Sequence, residues 1–100
     1  MDINVVREQT VTRVELAGSI DVEGAEVLKK NLGQLVGEGA REVEIDFKGV
    51  HFIGSSGIGK LLLFYKNYTA QGGKIRILHL NSDLQALFKA IRLDRLFNIQ

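Results

Sequence analysis

The stretch VEIDFKGVHFIGSSGIGKLLLFYKNYTAQGGKIRIL, residues 43–78, decides the fold of this chain. It begins with apolar residues that alternate with acidic ones, which is the pattern of a half-buried strand. A segment rich in glycine and serine follows, and then an apolar run at helical spacing that ends at paired glycines. The pattern KIRILHL, residues 74–80, predicts the next strand. A strand, a helix and a strand in this order predict a sheet with helices packed on it and right-handed crossovers between parallel neighbours.

The residues on either side of this stretch continue the alternation of strands and helices. Ile3 and Val5 alternate with polar neighbours, and so does TVTRVELAG at residues 10–18, which predicts two strands joined by a turn near residues 8–10. Apolar residues at helical spacing predict a helix over residues 22–36. A further helix is predicted to begin after Asn81 or Ser82 as its N-cap, with a short helical tail at residues 94–97. The fold class is therefore α/β.

Length and composition predict a single domain over residues 1–100. The chain has 45% hydrophobic and 25% charged residues, which suffices for one core. Thirteen basic and twelve acidic residues give a formal net charge of +1. They form no run, which argues against nucleic acid or an acidic membrane surface as a partner. Cysteine is absent and no apolar stretch reaches the length of a membrane span, so we expect a cytoplasmic protein; the sequence does not indicate an oligomeric state.

The segment GSSGIGKL, residues 54–61, differs by one residue from the phosphate-binding loop of nucleotide-binding proteins. That loop needs a Ser or Thr after its lysine to bind magnesium, and this chain has Leu61 there. A magnesium-dependent nucleoside triphosphatase also usually needs an acidic residue at the end of a later strand, but Asn81 follows the strand predicted over residues 74–80. Nucleotide binding is therefore the minority hypothesis.

Catalytic and metal sites have no support in the sequence. The segment does not match the G-x-S-x-G turn of serine hydrolases. His51 and His79 are the only histidines, and without cysteine they do not suggest a zinc site. We therefore expect no catalytic residues, no metal and no cofactor.

Polar residues at the predicted helix starts have a structural role and a possible functional one. Ser55 or Ser56 is predicted to cap the second helix by accepting a backbone N–H, and Asp21 to cap the first. Gly57 and Gly59 cost about 1 kcal/mol each relative to Ala in a helix, which suggests that another group approaches closely. A phosphoryl group on either serine adds about two negative charges beside the positive helix end. Phosphorylation would therefore change the surface that a partner contacts.

These residues resemble a known family. Residues 43–78 look like the central signature of STAS domains of the anti-sigma factor antagonist type, with its core V-x-F-I-D-S-S-G-L-G-x-L. LAGSID at residues 16–21 resembles the family's L-x-G-E-L-D, and LFKAIRLDRLF at residues 87–97 resembles L-F-x-x-T-G-L-D-R-L-F. Nearly the whole chain is covered. Gly54 stands where the central motif has Asp, and Arg92 stands where the closing motif has Gly.

The resemblance implies a STAS fold, which is a small mixed β-sheet of four to five strands with helices packed mainly on one face. It also implies a binding module rather than an enzyme, whose partner is an anti-sigma factor that is also a serine kinase. Phosphorylation of Ser55, with Ser56 as second choice, then breaks the contact and controls sigma-factor-dependent transcription. Carried over by position, the partner-binding residues are Asp21, Gly54, Ser55, Ser56, Gly57, Ile58 and Gly59. An unphosphorylated scaffold subunit of a transporter or signalling complex is the alternative.

Overall fold

The computed structural model describes residues 1–100 and contains a single five-stranded sheet. Its strands are β1 (Asp2–Arg7), β2 (Val11–Ala17), β3 (Glu42–Gly49), β4 (Lys74–Leu78) and β5 (Asn98–Ile99). The helices are α1 (Val22–Val36), α2 (Ser55–Ala70) and α3 (Ser82–Ala90), and a 3₁₀ turn covers Leu93–Arg95.

The strands lie in the order of the sequence, β1-β2-β3-β4-β5. The first pair is antiparallel because a tight turn joins it, and the other pairs are parallel because a helix connects each of them. The predicted mixed α/β sheet of the STAS fold is therefore confirmed.

The helices pack on one face of the sheet, as predicted. Alternate residues of the central strands point to that face and are buried, including Val14, Ile45 and Ile77. Phe88 of α3 contacts the edge of Phe47 of β3 there, with 5.8 Å between the ring centroids. Helix α1 packs beside α2. The core is thus a single layer between the sheet and the helices. Packing on this layer places the first turns of the helices at one end of the molecule.

The other face of the sheet is polar. Glu44 lies between two arginines on the neighbouring strands, at 2.7 Å from Arg76 and 3.3 Å from Arg13. Only 9% of Glu44 is exposed, because these long side chains cover its carboxylate. The sequence pattern placed Glu44 on the open face of the sheet, and its burial follows from residues that are 31 and 32 positions away.

Two predicted boundaries at the end of the chain are wrong. The strand predicted over residues 74–80 ends at Leu78, because His79 adopts a positive φ of 60° that an extended strand does not allow. The predicted helical tail is a single 3₁₀ turn followed by β5, which pairs with β4 through Asn98 and Ile99. A strand of two residues carries no alternation that a sequence pattern could reveal.

Arg92 follows the end of α3 in the left-handed region, with φ 64° and ψ 25°. A residue with a Cβ loses about 1–2 kcal/mol of stability in this conformation. Glycine avoids that strain, but its larger loss of conformational entropy on folding offsets part of the gain. We therefore expect Arg92→Gly to raise the free energy of unfolding by about 0.5–1 kcal/mol, measured by urea denaturation. Arg92→Ala is the control, since it removes the guanidinium but keeps the Cβ. Equal stability of the two variants would contradict this explanation.

Candidate functional site

The segments that follow β2 and β3 are held together by backbone hydrogen bonds. Ile20 and Ile53 form an isolated parallel bridge. The Ile20 N–H donates to the carbonyl of Phe52 at 2.8 Å, and the Gly54 N–H donates to the carbonyl of Ile20 at 2.9 Å. These bonds place the first turn of α1 beside the first turn of α2. The resemblance's motifs at residues 16–21 and 50–61 therefore meet at one end of the sheet.

Asp21 is the N-cap of α1, as predicted. Its backbone is extended, and its Oδ1 accepts a hydrogen bond from the Gly24 N–H at 2.8 Å. This geometry satisfies one of the unpaired donors of the first helical turn. Asp21 is exposed, so its carboxylate also puts a negative charge on the surface between the two helix starts.

The cap of α2 differs from the prediction. The helix begins at Ser55, and the N-cap is Gly54, with φ −90° and ψ 177°. Ser55 and Ser56 already have helical backbone, so neither is the cap that the sequence predicted. Because glycine has no side chain, the first-turn N–H groups of α2 have no side-chain acceptor at the N-cap. The positive end of α2 is therefore open to an anion.

The two helix starts enclose a shallow cavity of about 190 Å³. Four of the predicted residues line it, namely Asp21, Gly54, Ser55 and Ser56, together with Val22 and Phe52. Ser55 is exposed and Ser56 is half-buried.

Val22 and Phe52 are the site residues that the sequence reasoning missed. Val22 is 68% exposed and Phe52 is 53% exposed, so the cavity has an apolar rim beside the hydroxyl of Ser55. A signal for Phe52 was present in the sequence. Adjacent apolar residues in an extended segment point to opposite sides, so Phe52 and the buried Ile53 cannot both face the core.

The remaining predicted residues lie outside this cavity. Gly57 is buried, and a Cβ there would lie 2.6 Å from Cγ2 of Ile20 and 2.8 Å from Cγ1 of Ile53. The close approach that the sequence suggested is thus made by the chain's own core. Ile58 is half-buried, whereas Gly59 is exposed and a Cβ there would have no neighbour within 4 Å. Gly57 thus allows α2 to pack closely against the two isoleucines, and of these two glycines only Gly59 has its backbone exposed on the surface.

The arrangement does not favour the nucleotide hypothesis. Lys60, which a phosphate loop would turn toward its ligand, lies 3.6 Å from Glu26 of α1, and Leu61 is buried in the core.

His79 lies beside Asp46 at 2.9 Å, on the polar side of the sheet. No three His, Asp or Glu side chains are grouped to hold a metal ion. None of the helices has the length and apolar character to cross a membrane.

Comparison with known proteins identifies the family of this chain. The chain belongs to the STAS domain family, because the sequence model of that family matches residues 2–100. It is 30% identical over 99 residues to the anti-sigma-B factor antagonist of Bacillus subtilis (strain 168), which covers 99% of this chain and 90% of that protein. The resemblance stated from the sequence motifs is therefore confirmed.

Two solved structures show the same fold. The Bacillus cell fate determinant SpoIIAA in its phosphorylated form has a TM-score of 0.78 at 18% identity, covering 99% of this chain and 91% of that one. A sulfate transporter family protein from Wolinella succinogenes has a TM-score of 0.80 at 18% identity, covering 94% of this chain and 79% of that one. At such identities the likeness extends to the fold alone, which occurs in regulators and in transporter proteins alike.

Proposed function

We propose that this domain is an anti-sigma factor antagonist in the cytoplasm. It binds an anti-sigma factor that is also a serine kinase and thereby controls sigma-factor-dependent transcription. Phosphorylation of Ser55 ends the binding. The domain acts as a switchable binding surface and catalyses no reaction itself.

The observation that carries this proposal is the position of Ser55. Its exposed side chain stands at the first position of α2, on the rim of a cavity that also holds the Asp21 carboxylate and the apolar side chain of Phe52. A kinase can reach this hydroxyl without unfolding the domain. A partner that buries the same rim would contact Ser55 directly.

Phosphorylation at this position changes the surface and leaves the fold intact. A phosphoryl group carries about two negative charges near pH 7 and sits next to the open N–H groups of α2, which favour an anion. The same charge lies near the Asp21 carboxylate and among apolar rim residues, where a docked partner would exclude water. Burying a doubly charged phosphate beside another carboxylate is costly, so the partner is expected to dissociate.

Gly54, which replaces the Asp of the family motif, is compatible with this switch. Its φ of −90° does not require glycine, and a Cβ there would make ordinary contacts of 3.6 Å with the ring of Phe52. The missing carboxylate removes a side-chain cap and one negative charge beside Ser55. The phosphoryl group can therefore take the place at the helix end that an Asp side chain would otherwise occupy.

The test is phosphorylation by the anti-sigma factor kinase of the same organism with ATP, followed by mass spectrometry. We expect one phosphate on Ser55 of the parent and none on Ser55→Ala. Ser56→Ala is the matched control and should accept phosphate as the parent does. Modification of Ser55→Ala to the same extent as the parent would show that the phosphorylated residue has been misassigned.

The second candidate is an unphosphorylated scaffold subunit of a transporter or signalling complex. This candidate is supported by the fold that the chain shares with the Wolinella succinogenes sulfate transporter family protein. In that role the domain would hold its partner constantly, and the charge at Ser55 would not affect the complex. An acidic replacement of Ser55 separates the two candidates and is treated in the Discussion.

A further inference from the structure

A second concave surface lies between α1 and α2, beyond the cavity at Ser55. This groove has a volume of about 200 Å³ and an apolar floor and wall. Its lining consists of Lys29, Leu32, Gly33, Val36, Lys60, Leu63, Phe64 and Asn67. Leu63 is 42% exposed, although a leucine at a helix–helix contact is normally covered. The groove therefore leaves apolar surface in contact with water.

Gly33 keeps this groove open. It lies in the interior of α1, where glycine costs about 1 kcal/mol relative to alanine. Its φ is not positive, and a Cβ built on it would meet no atom within 4 Å. Neither backbone geometry nor packing within the domain thus requires glycine at this position. A side chain there would instead occupy the groove that Leu63 and Phe64 border from α2.

The two charged side chains that line the groove are both lysines, Lys29 and Lys60. Residues 29–36 of α1 and the whole of α2 contain four lysines and no carboxylate; the lysines are Lys29, Lys30, Lys60 and Lys66. Only Lys60 has an acidic neighbour, Glu26, at 3.6 Å. The chain as a whole is nearly balanced, at +1, so this local excess stands out. An apolar groove edged by lysines is complementary to a segment with apolar anchors and acidic flanks.

The groove continues from the candidate site along the same helix. Lys60 follows Ser55 by five residues, which is about 7.5 Å along the axis of α2, so a single partner can cover both surfaces. We propose that the groove binds an acidic amphipathic segment of the anti-sigma factor that contacts Ser55. This inference rests on the proposed function. It adds a second contact, whose apolar anchors pack beside Gly33 and whose carboxylates face Lys29 and Lys60.

The test is the affinity of the purified anti-sigma factor of the same organism for groove variants, measured by isothermal titration calorimetry. Gly33→Glu puts bulk and negative charge into the groove, and we expect it to weaken binding at least about tenfold. Gly33→Ala is the size control, and Gln34→Glu puts the same charge on the neighbouring exposed position outside the groove. Gly33→Ala should weaken binding less than Gly33→Glu does, since it adds only a methyl group to the groove. Gln34→Glu should bind within about twofold of the parent, as surface changes outside a contact do.

Phosphorylation of Ser55 in each variant separates this inference from the proposed function. Gly33→Glu should still be modified on Ser55 when the kinase is saturating, because its Ser55 site is unchanged. It should be modified more slowly than the parent when the kinase is limiting, because the kinase is the partner that the groove binds. If the parent binds and loses the partner on phosphorylation while Gly33→Glu binds equally well, the groove is not a contact and the proposed function stands. If Gln34→Glu lowers the affinity as much as Gly33→Glu does, the groove is likewise not a contact, since the loss of affinity would then come from the net charge of the domain. If the parent does not bind the anti-sigma factor, both proposals are wrong.

Discussion

Replacement of Gly57 by valine is expected to lower the free energy of unfolding by about 3 kcal/mol. The new Cβ would lie 2.6 Å from Ile20 and 2.8 Å from Ile53, which are 0% and 4% exposed. Neither isoleucine can move away, because both are packed in the core and the backbones of their segments are bonded to each other. Urea denaturation followed by circular dichroism measures the effect.

Gly59→Val is the matched control for this prediction. It makes the same change two residues further along α2, at an exposed position where a Cβ would meet no atom within 4 Å. We expect its stability to stay within about 0.5 kcal/mol of the parent, because valine and glycine differ little in helix propensity. If the two variants were equally stable, the contact between α2 and the two isoleucines would not be as tight as the structure shows.

Ser55→Glu is expected to abolish binding of the anti-sigma factor and to leave the fold intact. The glutamate puts a lasting negative charge beside the Asp21 carboxylate, where the partner would have to bury it. A carboxylate in the first turn of a helix is itself favourable by about 0.3–1 kcal/mol, so thermal stability should not fall. Calorimetric titration with the purified anti-sigma factor, together with a thermal melt, measures both effects.

Ser82→Glu is the control, because Ser82 is exposed at the same first position of α3 and lies away from the cavity. It should change neither binding nor folding appreciably. A Ser55→Glu variant that binds its partner as tightly as the parent would favour the unphosphorylated scaffold over the switch. A loss of binding by both variants would indicate a general effect of charge and would not support a contact at Ser55.

The broad architecture was predictable because its signals are local. Alternating apolar residues define the three central strands, and helical spacing defines α1, α2 and α3 within a few residues. The cap at Asp21 was predictable for the same reason, since it depends on the residues that directly follow it. β5 was not predictable as a strand, because Asn98 and Ile99 become one only by pairing with β4.

The candidate site was predictable in its residues but not in its form. The motifs named Asp21, Ser55 and Ser56, which the structure brings to one cavity. They did not show that Gly54 is the cap of α2, since a cap depends on the backbone angles of the residue that precedes the helix. They also did not distinguish Gly57 from Gly59, because the difference lies in the side chains of distant segments.

The sequence by itself determined the class of fold and the residues at the start of each helix, because hydrophobic periodicity and capping act between near neighbours. Only the tertiary structure decided what surrounds those residues. Contacts between β2–α1 and β3–α2 segments more than 30 positions apart bury Gly57, expose Phe52 beside Ser55 and open a lysine-edged groove at Gly33. Such contacts depend on the packing of whole elements, which no short pattern along the chain records.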